Sequence, residues 1–125
     1  MSWKDANGNL WLFGGFGADS GVMQGFLNDL WEYSPTSGQW TWVSGSNTVD
    51  ASANYGTQGL VAATNVPGSR TEAMGWTDAN GNFWLFGGLQ STATGVIPDL
   101  SDLWMFSPSS GEWIWEGGSN VPNVT

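Results

Sequence analysis

The chain has no cysteine and no histidine, and only two cations, Lys4 and Arg70, against 11 acidic residues. Without Cys there is no disulfide, no thiolate metal site and no cysteine nucleophile. Without His, Ser-His-Asp and Cys-His catalysis, imidazole-bound zinc or copper and a pH switch near neutrality all fall away. A formal net charge of −9 offers no phosphate-neutralising surface for nucleic acid and nothing that would draw the chain to an anionic membrane. No apolar run is long enough for a membrane span. Trp3 is followed at once by a polar turn, so no signal segment is expected in this chain. Charged residues make up only 10%, yet 40% hydrophobic content with ten Trp and 19 Gly is not the composition of a disordered chain. It fits an extracellular or surface protein. The length of 125 residues fits one ordinary domain.

A repeat changes that view of the length. Trp3 to Gly15 reads W-K-D-A-N-G-N-L-W-L-F-G-G, and Trp76 to Gly88 reads W-T-D-A-N-G-N-F-W-L-F-G-G. Leu27 to Trp42 likewise matches Leu100 to Trp115 at the same offset of 73, and 24 of 45 positions are identical between residues 3–47 and 76–120. Every Trp belongs to a pair at that offset: 3/76, 11/84, 31/104, 40/113 and 42/115. A residue that recurs in each unit is expected to pack units together rather than bind one ligand. Trp11, Trp31, Trp40, Trp42, Trp84, Trp104, Trp113 and Trp115 are therefore assigned to packing between units; a buried Trp can hide ~150–250 Å².

Each unit reads as short strands between turn signals. Asn7-Gly8 and Asn80-Gly81 are strong hairpin turns. Leu10–Phe13 and Phe83–Phe86 are aromatic-aliphatic runs, expected to stop at Gly-Gly. Leu30–Tyr33 and Leu103–Phe106 follow, closed by Ser-Pro-x-Ser-Gly, in which Pro sets φ and Gly permits positive φ. The last strand carries Trp at alternate positions, which puts both rings on one sheet face. Arg70 to Trp76, introduced by Pro67-Gly68, reads as a further strand. No stretch shows an apolar period of 3.6 residues. The fold class is all-β.

Gly14-Gly15 and Gly87-Gly88, Asp29-Leu30-Trp31 and Asp102-Leu103-Trp104, then Trp40 and Trp113, resemble the kelch repeat. Arg70 after Val66-Pro67-Gly68 is similar to the Pro-x-x-Arg start of a kelch first strand. The resemblance implies four-stranded antiparallel blades of a β-propeller: residues 1–47 as a first blade lacking most of its first strand, 48–69 as a long connecting loop, 70–119 as a second blade, and 120–125 as a tail completing a neighbouring blade. The offset of 73 exceeds the ~50 residues of a kelch unit. Asn65-Val66-Pro67 recurs as Asn120-Val121-Pro122 at an offset of 55, which locates the excess in an insertion near 48–64. On that offset Thr125 aligns with Arg70, and Met1 aligns with Met74 on the longer one.

Two blades cannot close a ring and leave Trp- and Phe-covered faces exposed. Identical chains joined head to tail would close it, three giving six blades and four giving eight; a piece of a longer propeller would also carry these repeats. The expected partner is therefore the chain itself, with a protein or glycan ligand as a further partner and no nucleic acid or membrane.

The loops 16–26, 89–99 and 44–69 should emerge at one end, where the two units diverge. Loops on a rigid scaffold commonly carry binding, so Phe16, Asp19, Phe26, Asp50, Tyr55 and Asp99 are the candidate ligand residues. Asp5-x-Asn7-x-Asn9 and Asp78-x-Asn80-x-Asn82 imitate the start of a calcium loop, but Gly stands fourth and the twelfth positions, 16 and 89, are Phe and Leu. They are taken as turns in which Asp caps backbone amides. No metal or cofactor is expected. Asp29 and Asp102, present in both units, are assigned to backbone amides at strand starts rather than to a glycosidase pair, and Arg70 to loop carbonyls or an Asp of the adjacent unit. Kelch-like propellers include copper-radical oxidases that need His, Tyr and Cys, which this chain does not combine. The expected role is a non-catalytic structural or protein-interaction scaffold, with a carbohydrate-binding module as the alternative.

Overall fold

Asn7-Gly8 and Asn80-Gly81 each close a hairpin that opens a four-stranded antiparallel sheet. The computed structural model describes residues 1–92 and 94–123. Sheet 1 runs in the order β1 (Ser2–Lys4), β2 (Leu10–Ala18), β3 (Gln24–Ser34), β4 (Gln39–Ser44). Sheet 2 repeats it with β5 (Met74–Thr77), β6 (Phe83–Leu89), β7 (Asp99–Ser107) and β8 (Glu112–Gly117). Among the described residues there is no helix, and the fold is all-β. Asp5 Oδ1 accepts the amides of Asn7 and Asn9 at 2.9 Å, and Asp78 does the same for Asn80 and Asn82, so these side chains cap their turns. Their second oxygens accept the indole N–H of Trp11 and Trp84, tying each turn to its own sheet.

Three strand boundaries differ from the sequence reading. Gly-Gly does not stop β2 or β6. Gly14 (φ 63°) and Gly15 (φ 105°) shift the register between Phe13 and Gly15, and the strand continues to Ala18. Gly87 and Gly88 make the same bulge, using backbone angles that cost glycine little. The strand expected over Arg70–Trp76 starts only at Met74, because Glu72 turns the backbone into the left-handed region (φ 57°) and leaves Thr71 a single bridge to Leu89. The first strand of sheet 1, expected to be mostly missing, is consequently almost as long as its counterpart. Met1 extends it, exchanging hydrogen bonds with Phe13.

Side chains alternate across a strand, and one set from each sheet forms the core. Trp3, Trp11, Phe13 and Leu30 of sheet 1 meet Phe83, Leu85, Trp104, Phe106 and Trp113 of sheet 2. Trp3 stacks on Phe83 at 5.3 Å, Trp11 tilts against Phe106 at 5.5 Å, and Phe13 meets Trp113 edge-on at 5.4 Å. Burying side chains of this size contributes roughly 1.5–3 kcal/mol each. The connection between β4 and β5 lies along β8: Gly59 N–H donates to Trp115 O and the Asn65 amide to Trp113 O.

Candidate functional site: two sheet faces, a buried ion pair and a loop end

The faces that remain uncovered are the most informative surfaces. Leu10, Leu12, Trp40 and Trp42 are exposed on the outer face of sheet 1, Trp40 and Trp42 each at 54%. Met74, Trp76 and Phe86 are exposed on the outer face of sheet 2, with Trp84 stacked on Trp76 at 6.0 Å. The offset of 73 carries Leu10, Leu12, Trp31, Tyr33, Trp40 and Trp42 onto Phe83, Leu85, Trp104, Phe106, Trp113 and Trp115, the inner face of sheet 2. It carries Trp3, Trp11, Phe13 and Leu30, the inner face of sheet 1, onto Trp76, Trp84, Phe86 and Leu103. Each uncovered face thus has the pattern of a face that is buried inside the chain. Of the Trp residues assigned to packing, Trp11, Trp104 and Trp113 are in the core and Trp115 packs against it. Trp40 and Trp42 are not packed between sheets, because the chain supplies a neighbour to only one side of sheet 1. Trp3, which belongs to the core, was identifiable from its place in the repeat.

Between the sheets lies a buried ion pair. Arg70 donates to both oxygens of Asp102 at 2.7 and 2.8 Å, and to Gly68 O and Gly87 O at 3.0 Å. Asp102 also accepts the Trp104 indole N–H at 2.7 Å and the Tyr55 hydroxyl at 2.8 Å. Both charged side chains are fully buried, and a pair at that depth is tolerable only with its remaining valences met. Burial alone would raise the Asp102 carboxyl; the hydrogen bonds and charge of Arg70, then Trp104 and Tyr55, outweigh it and hold the carboxyl below its ordinary value. Burial, followed by the charge of Asp102, raises the Tyr55 hydroxyl. Arg70 therefore bonds two carbonyls, as expected, but its Asp belongs to its own unit, 70–119, and not to the adjacent one. Asp102 and Asp29 bond side chains, Asp29 accepting from Trp31 Nε1 at 2.7 Å, and not the backbone amides assigned to them. An indole two residues along the strand reaches the carboxylate on the same face.

The loop-end residues divide. Phe16 and Phe26 meet edge-on at 6.1 Å, and Asp19 and Asp50 lie beside them. Asp50 accepts the Phe26 amide at 3.0 Å, and Asp19 accepts those of Val49, Met23 and Gly21. The Val49 amide, opposed by desolvation and then helped by Met23 and Gly21, holds the Asp19 carboxyl below its ordinary value. These two carboxylates fasten the β2–β3 hairpin to the segment after β4. Tyr55 is elsewhere, between Trp104 and Trp115 with ring centroids 5.1 Å from each, so its hydroxyl is committed to the ion pair. Asp99 opens β7 and bridges Asn123. Val124 and Thr125 of the tail lie outside the described residues.

A groove of about 510 Å³ lies on the outer side of sheet 1, lined by Asp29, Trp31, Trp42, Gly45, Ser46 and Asn47. The sequence reading did not single it out; the repeated Asp-Leu-Trp triplet was its signal. No known protein-family profile matches the chain. No curated protein matches it either. Among solved structures, that of YjhT is similar in fold, with a TM-score of 0.64 and 17% identity over 94% of this chain and 36% of that one. The chain spans about a third of the length of YjhT.

Proposed function

We propose that the chain is a non-catalytic pair of kelch-like β-propeller blades, a structural and protein-interaction scaffold whose ring is completed on its two outer faces by other copies of itself. The carrying observation is the cross-match of faces: the outside of sheet 1 repeats the inside of sheet 2, and the reverse. A contact of that kind is head to tail, and it closes when the rotation per chain divides the circle. Three chains give six blades and four give eight. Sedimentation at micromolar concentration should return three or four times 13.4 kDa; a stable monomer overturns the reading. A larger propeller that contains this pair would use the same faces.

The loop end with Phe16 and Phe26 is the surface left for an outside partner in such a ring. A carbohydrate-binding reading has one observation in its favour, the exposed Trp42 beside Asp29, Ser46 and Asn47. Glycan-array binding that disappears with Trp42→Ala would establish it.

A further inference from the structure

The Asp29 groove has an occupied twin within the same chain. Asp29, Trp31, Trp42 and Gly45 correspond at the offset of 73 to Asp102, Trp104, Trp115 and Gly118. The local geometry is repeated: each Asp accepts the indole N–H two residues on at 2.7 Å. Trp31 is paired across strands with Trp42 as Trp104 is with Trp115. Gly14 bulges with φ 63° where Gly87 has 64°, and it is the Gly87 carbonyl that accepts from Arg70. In sheet 2 this arrangement is filled by the Arg70 guanidinium on Asp102 and by the Tyr55 ring between the two Trp. In sheet 1, among the described residues, Trp31 Nε1 is the one partner of the Asp29 side chain, and the space is the open groove.

We propose that this groove is an arginine-binding site, taking the guanidinium of a polypeptide segment two-pronged on Asp29 with the flanks of Trp31 and Trp42 as its walls. A planar fork of N–H donors matches a carboxylate in a way that an ammonium does not. The inference rests on the propeller reading for the source of the arginine, a neighbouring unit that enters as Pro67-Gly68-Ser69-Arg70 enters sheet 2. The occupant is therefore a segment that presents an arginine to Asp29 as Arg70 is presented to Asp102.

The test uses the full chain carrying Trp76→Lys, which removes the opposite docking face without touching the groove. N-acetyl-arginine N-methylamide is titrated while the indole N–H resonance of Trp31 is followed, with the lysine and citrulline analogues as controls. The expected result is a saturable shift for arginine with Kd on the order of 1–10 mM, at least tenfold weaker for lysine, and none for citrulline. Asp29→Asn should weaken arginine at least tenfold. The arginine–citrulline comparison stands even if that variant fails to fold. Equal response to lysine or citrulline, a response unchanged by Asp29→Asn, a response to methyl glucoside in place of arginine, or no saturable response at all overturns the proposal. Sedimentation of the unsubstituted chain decides the ring separately.

Discussion

Arg70 ties the two sheets together: its backbone bonds Gly15 and Leu27 of sheet 1, and its side chain meets Asp102 of sheet 2, which also accepts the Tyr55 hydroxyl. Replacing Arg70 by Met leaves a carboxylate buried without its cation and should cost about 3–5 kcal/mol in urea unfolding. The double change Arg70→Met with Asp102→Leu should cost less than the single one, since it removes the stranded charge. Tyr55→Phe loses one hydrogen bond to a carboxylate that keeps Arg70, a loss of about 1 kcal/mol. The two groups give opposite pH limits. The Asp102 carboxyl is lowered on folding, so its contribution is present above the ordinary carboxylate range and is lost as pH falls through the folded value. The Tyr55 hydroxyl is raised, so its contribution is present below about pH 10 and is lost as pH climbs toward the folded value. Between pH 8 and 11 the unsubstituted chain should lose stability faster than Tyr55→Phe, measured as urea midpoint against pH; parallel curves would contradict the Tyr55 assignment. The lone arginine was legible as a structural residue because the repeat gives it a carboxylate to meet. Tyr55 was not, because it lies in the inserted segment and has no counterpart at either offset.

At the level of strands, order and pairing were readable from turn chemistry, while lengths were not. Gly14-Gly15 looks like a terminator in one dimension; the partner strand converts it into a bulge, because β3 continues to pair beyond it. Glu72 gives no sequence sign of its positive φ, so the start of β5 was placed four residues early. Glycine at the ends of β4 and β8 is set by geometry of the same kind. Gly118 has φ 75°, and a side chain there would meet the carbonyl of Ser101 at less than contact distance. Gly111 has φ 73° with nothing near it. Gly111→Ala should cost only the left-handed penalty, about 1–2 kcal/mol. Gly118→Ala adds a backbone clash to that penalty and should cost well above ~2 kcal/mol, with loss of the near-ultraviolet signal of Trp104 and Trp115. Equal costs would show that the β7–β8 pairing yields without strain.

For the whole molecule, the repeat makes the uncovered surface as informative as the core. A sequence with one copy of this pattern would show only that Trp40 and Trp76 are apolar. Two copies show that the corresponding residues, Trp113 and Trp3, are buried inside the chain. The two outer faces are different surfaces, which separates a head-to-tail contact from a two-fold one. Trp40→Lys disables the outer face of sheet 1 and leaves that of sheet 2 intact; Trp76→Lys does the reverse. Each variant alone should sediment as a monomer, because closing a ring needs both faces on every chain. Mixed in equal amounts, they should form a dimer of one chain of each kind and nothing larger: the intact sheet 2 face of one docks on the intact sheet 1 face of the other, and both free ends are blocked. A two-fold contact through either face alone would instead leave one variant dimeric by itself and give no new species on mixing.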